Sequence, residues 1–140
     1  INICAAVSNK RGFKNLFFDH QLSSLNTISK NHTLFIEKAF GNKNLTKKKI
    51  KTTTIKNLLK KAKIKKIDFL NIDVEGHELE VLKTLNFKLF SIKVICIEIV
   101  NYDFYSKKIK MNKNKIIKIL KKNNYILKFK TYVNYIFVKK

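Results

Sequence analysis

Proline and tryptophan are absent from this sequence, arginine occurs once, at Arg11, and glycine occurs only at Gly12, Gly41 and Gly76. Lysine, asparagine and isoleucine are abundant at the same time, so these gaps look like a genome-wide bias in base composition. Two cysteines, Cys4 and Cys96, sit in unrelated apolar contexts. They suggest buried thiols in a reducing, cytoplasmic setting rather than a disulfide framework. No apolar run reaches membrane-spanning length, and no signal peptide is visible. Acidic residues are the scarcest charge, nine against 31 basic ones, for a formal net charge of +22. Such a balance draws polyanions at low salt. Yet nearly all of it is lysine, and arginine is the better bidentate reader of phosphates and guanine edges, so no specific nucleic-acid partner is expected. A basic polyanion-binding module stays open as an alternative.

At 140 residues the chain fits one domain with a hydrophobic core. Its organising stretch is Ile67 to Leu85, IDFLNIDVEGHELEVLKTL. The run Ile67 to Val74 reads as a strand buried on both faces of a parallel sheet. Asp73 and Glu75 fall at its C-terminal end, Gly76 permits a tight turn, and Leu79, Leu82 and Leu85 recur at helical spacing behind it. Glu78 and Glu80 lie in the first turns of that helix, where negative charge is favoured. Ligands of open α/β sheets bind beyond the C-terminal ends of strands, which makes the acidic tip the first candidate site.

Elsewhere, Ile1 to Val7 reads as a short strand, Ser8 to Gly12 as a turn and Phe13 to Phe18 as an outer strand. Asp19 to Thr46 has weak periodicity and reads as loop with one short helix near Leu34 to Phe40, either a substrate wall or a plain surface excursion. Between Lys47 and Lys66 stand ten lysines and no acidic residue. Thr52 to Thr54 is β-prone there, and Ile55, Leu58, Leu59 and Ala62 mark a basic amphipathic helix. Ile92 to Val100 is a second apolar strand, ending around Glu98 and followed by Asn101 and Asp103, so strand, helix and strand make a parallel crossover. Asn112 is placed to cap a helix with Ile116, Ile117 and Leu120 inward. Tyr125 to Phe129 and Tyr132 to Val138 read as a C-terminal antiparallel hairpin.

The stretch from Ile67 to Lys83, with its Asp73-Val74-Glu75-Gly76 centre, resembles the signature of the FkbM family of S-adenosylmethionine-dependent methyltransferases. Asn2 to Asn9 resembles that fold's third strand, Val94 to Ile99 its fifth and Asn134 to Val138 its last. The resemblance implies an α/β, Rossmann-like class I methyltransferase sheet, order 3-2-1-4-5-7-6 with strand 7 antiparallel. It is partial here, with strands 3 to 7 expected and strands 1 and 2 absent. Missing with them are the glycine-rich cofactor loop and the acidic residue that holds the cofactor ribose. The chain thus reads as a single partial domain over 1–140, the C-terminal two-thirds of a longer enzyme, or else a non-catalytic fragment. The strand at Ile3 would lack its native neighbour, and strand 4 would be an exposed apolar edge prone to self-association.

What the resemblance implies for chemistry is methyl transfer from S-adenosyl-L-methionine to a hydroxyl of a sugar, glycan or secondary metabolite. Asp73 would orient the cofactor's amino-acid part or the acceptor, Glu75 would contact the acceptor hydroxyl, and His77 is the nearest general base. Ser8 is expected at the cofactor's adenine, and Glu98 beside the same crevice at the substrate. The alternatives are helix capping for Asp73 and Glu75 and plain solvent exposure for His77. The spacing of Asp73, Glu75 and Glu78 is no metal-ligand signature, so no metal is expected.

Overall fold

A computed structural model describes residues 2–20, 23, 25–41, 44–100 and 112–140. Asn101 and Asp103 lie outside the described residues. The architecture is mixed α/β, and the described residues form two sheets and four helices. None of these helices is long and apolar enough to cross a membrane.

The larger sheet contains β4 (Lys66–Ile72), β5 (Ser91–Glu98), β6 (Tyr125–Lys130) and β7 (Asn134–Lys139) in the order β4-β5-β7-β6. β4 and β5 run parallel, with Ile67 opposite Ile92 and Ile72 opposite Ile97. β7 is antiparallel to both β5 and β6, as expected of the hairpin. β5 lies inside the sheet, and Ile92, Ile95, Cys96 and Ile97 are buried along it. Against it pack Tyr135 and Phe137 of β7, Leu79, Val81 and Leu82 of α3 (Glu78–Lys83), and Ile116 and Leu120 of α4 (Lys113–Lys122). Buried Tyr125 directs its hydroxyl to the Ile92 carbonyl at 2.7 Å, so the one polar atom it carries inward is satisfied.

Two expectations about this sheet change. β4 is not buried on both faces: Phe69 is 58 % exposed, and Asp68 pairs on the surface with Lys93 of β5 at 2.6 Å. The cause is its position, since among the described strands β4 pairs with β5 alone and stands at the sheet's edge. Asn112 does precede α4, but its side chain makes no capping hydrogen bond.

The smaller sheet has the order β1-β3-β2, from β1 (Ala6–Val7), β2 (Gly12–Phe18) and β3 (Thr46–Thr53). β1 takes β3 as a parallel neighbour, Val7 opposite Thr53, and β2 pairs antiparallel with β3 from Gly12 opposite Thr52 to Phe18 opposite Thr46. β3 therefore runs well upstream of the β-prone Thr52 to Thr54. Its lysines Lys47, Lys48, Lys49 and Lys51 are all exposed, while Ile50 and Thr52 turn inward. Only then does the short helix α2 (Ile55–Lys61) begin, capped by Thr54, whose hydroxyl accepts from the Asn57 N–H. The helix α1 (Lys30–Phe40) starts earlier than Leu34, because the Ser29 hydroxyl accepts from the His32 N–H and caps it. Cys4, expected to be buried, is exposed; Cys96 is buried, and both are free thiols.

Candidate functional site

Where β4 ends, the backbone turns through two successive left-handed residues, Glu75 at φ 51° and Gly76 at φ 85°. Glycine accepts that conformation freely, whereas for glutamate it costs about 1–2 kcal/mol. The surrounding structure holds Glu75 there. The Thr27 hydroxyl donates to the Glu75 carbonyl at 2.6 Å, and Thr27 itself accepts from the Ser29 N–H. On the other side, the Glu78 carboxylate folds back to accept from the N–H groups of Gly76 at 2.9 Å and Val74 at 3.2 Å. Glu78 is thus the group that closes the turn, and its burial holds its pKa above the usual carboxylate range.

The Glu75 carboxylate meets Nε2 of His32 at 3.2 Å. His32 is buried, which lowers its pKa to about 4 and leaves it neutral at pH 7, a donor to the carboxylate rather than an ion-pair partner. Glu75 is itself raised to about 7, first by burial and then by the charges of Asp73 and Glu78. His32 and Thr27 are contacts that sequence reasoning missed. They come from the Ser- and Asn-rich stretch with weak periodicity, where the Ser29 cap three residues before His32 was the one available signal of a helix start.

His77 does not point into solvent. Its Nε2 lies 3.0 Å from the Ser8 hydroxyl and 3.3 Å from the Lys14 ammonium. An ammonium only donates, so this contact makes Nε2 an acceptor and the ring neutral. In keeping with that, burial first and Lys14 second lower the His77 pKa to about 4. Ser8, expected at a cofactor, is fully buried with its hydroxyl engaged by His77 and Asn9. Together Ser8 and Lys14 tie the smaller sheet to the tip of the larger one.

Asp73, Glu78 and Glu98 bring carboxylate oxygens within 4.8 Å of one another. Such an acceptor-only group suits a hard cation or an ammonium group, and Glu98, not Glu75, completes it. Glu98 is pushed up to about 7 by burial, by the charges of Asp73, Glu75 and Glu78, and by a hydrogen bond with Asp73. Its Oε2 is buried with no protein partner among the described residues. Five of the nine acidic residues, Asp73, Glu75, Glu78, Glu80 and Glu98, therefore belong to this one end of the fold. In a chain of net charge +22 the tip is where a cation is drawn.

The burial of Glu98 among other carboxylates has a measurable consequence. Its folded pKa lies above its unfolded value, so the native state is favoured below about pH 4.5 and loses that advantage as pH rises through about 7. His32 and His77 act oppositely, because their lowered values cost stability as pH falls from 6.5 towards 4. A variant comparison separates the two: Glu98→Gln should stabilise the protein by roughly 1–3 kcal/mol at pH 8 and by almost nothing at pH 4.5, read from urea unfolding. A gain of equal size at both pH values would show that Glu98 does not titrate in this way.

Beside the tip lies a cleft of about 390 Å³ lined by Lys14, Phe17, Ser29, Asn31, His77 and Glu80 among others. Residues 1–127 match the family model described as Methyltransferase FkbM domain. No curated protein and no solved structure matches the chain.

Proposed function

The chain belongs to the FkbM methyltransferase family, and from that premise we propose that it works as an S-adenosylmethionine-dependent O-methyltransferase on a hydroxyl of a sugar or glycan. The observation that carries this reading is Glu75, a carboxylate near neutrality in its pKa and fixed by His32, in a turn whose next two residues, Gly76 and His77, line a polar cleft. The strand order β4-β5-β7-β6 with β7 reversed supports the Rossmann-like arrangement, in which Asp73 ends the fourth strand.

S-adenosylmethionine, when bound, supplies an electrophilic methyl group on a sulfonium centre. The donor set fits the ammonium group at the amino-acid end of that molecule: Asp73, Glu78 and Glu98 only accept while ionised, and Glu98 Oε2 lacks a protein partner among the described residues. Asp73, exposed at the strand end, is the group placed to receive an ammonium. Ser29 and Asn31 offer hydrogen bonds and Phe17 an apolar wall in the neighbouring cleft, a combination that suits a polyol ring.

In this reading Glu75, rather than His77, takes the proton of the acceptor hydroxyl. A base works best with its pKa near the working pH, and Glu75 stands at about 7 while His77 is lowered to about 4 with Nε2 already engaged. His77 then holds the tip in place through Ser8 and Lys14, and His32 fixes the direction of the Glu75 carboxylate.

Calorimetric titration with S-adenosylmethionine tests the assignment, run on this chain and on the same chain extended upstream in its reading frame. Binding by either, weakened about tenfold by Asp73→Asn, is the expected result. If neither binds while both remain folded, the methyltransferase reading fails.

A further inference from the structure

We propose that a second cavity, between the segment 3–5, β3 and α2, is a binding site for a phosphorylated small molecule. The cavity measures about 510 Å³ and shares no lining residue with the cleft beside the acidic tip. Three cations line it, Arg11, Lys51 and Lys61, and no carboxylate does. The ion pairs among the described residues lie elsewhere, so none of these three cations is matched by an acidic side chain among the described residues. Like charges brought to one concave surface without counter-charge raise the local potential and favour an anion there.

The kind of anion follows from the groups present. Arg11 is the only arginine in a chain that otherwise uses lysine for its positive charge, and it stands at this cavity. A guanidinium presents a planar fork of donors that matches two oxygens of a phosphate, which a lysine ammonium does not. Thr53 and Asn57 add short polar side chains to the wall, while Ile3, Ala5 and Leu58 line it with apolar surface. A bare phosphate would leave most of this volume unfilled. A phosphate monoester with an organic body uses both the cationic and the apolar lining.

Cys4 lines the same cavity and is exposed, whereas Cys96 is buried in β5, so alkylation of Cys4 by uncharged iodoacetamide reports on occupancy. The rate is measured by mass spectrometry at fixed ionic strength with adenosine 5′-monophosphate or glucose 6-phosphate, and with adenosine or glucose as uncharged controls. Protection by either ester, about tenfold at a concentration about ten times its dissociation constant, is the expected result, with none from the controls. The protection should vanish in the double variant Arg11→Gln, Lys61→Gln. It should persist in Lys47→Gln, Lys49→Gln, which removes the same charge from exposed positions outside the cavity. No protection by either ester, or equal loss in both double variants, would overturn the proposal and reduce the effect to the general attraction of a lysine-rich surface.

Discussion

Replacing Glu75 by Gln should slow methyl transfer roughly 10²–10⁴-fold, the usual contribution of a positioned general base. The amide keeps the shape of the side chain and still accepts a hydrogen bond from His32, so the loss would be one of proton affinity rather than of folding. The pH dependence is the sharper test. A base must be deprotonated to act, and burial with neighbouring carboxylates raises Glu75 to about 7. Activity of the unaltered protein should therefore climb between about pH 6 and 8 with a midpoint near 7 and fall away on the acid side. In the variant that limb should disappear, leaving a low, flat profile. Initial rates of labelled-methyl incorporation into saccharide acceptors from pH 5.5 to 9 decide the matter. An acid limb that survives in Glu75→Gln would assign the proton transfer to another group.

Phe137→Ala should cost about 3–5 kcal/mol of folding stability. Phe137 is fully buried in β7, directly opposite Ile95 of β5, which is also fully buried. Removing the ring leaves a void that the flanking strands cannot close, because both are held in register on either side. For a domain whose total stability is typically about 5–15 kcal/mol, that is a large part of the whole. Tyr132→Ala, at a side chain 96 % exposed, is the control and should change stability by under about 0.5 kcal/mol. Urea unfolding of the two variants side by side measures both. Similar midpoints would mean that β7 does not carry the core.

Much of the larger sheet was legible in the sequence because its signals are local. Ile92 to Glu98 is too apolar to be surface, Ile116 and Leu120 repeat at helical spacing, and the short link after Phe129 forces a hairpin. The acidic tip was legible for the same reason, since Asp73, Glu75 and Gly76 are adjacent. β3 was not: Lys47, Lys48 and Lys49 mask the alternation of Ile50 and Thr52, and strand pairing with β2 decides the outcome. An apolar run also reads alike at the centre and at the edge of a sheet, and so Phe69 of β4 was expected inside. The surroundings that separate His77 from Glu75, and on which the proposed choice of base rests, could not be read at all. They are made by contacts from Ser8, Lys14 and His32, which stand 69, 63 and 43 positions away from the residues they touch.

Those same separations imply an expected order of assembly. β6 and β7 are joined by a short turn, and β4 and β5 by one short crossover, so the larger sheet can form from near neighbours in the chain. The tip takes its shape only when Ser8, Lys14, Thr27 and His32 arrive from the other end of the molecule. Contacts that close loops of that length cost more chain entropy than those between near neighbours, and they are the ones expected to open first. A population with its sheet intact and its N-terminal segment undocked would thus keep a cooperative core while Glu75 relaxed from its left-handed turn, and chemical competence would disappear before the fold does.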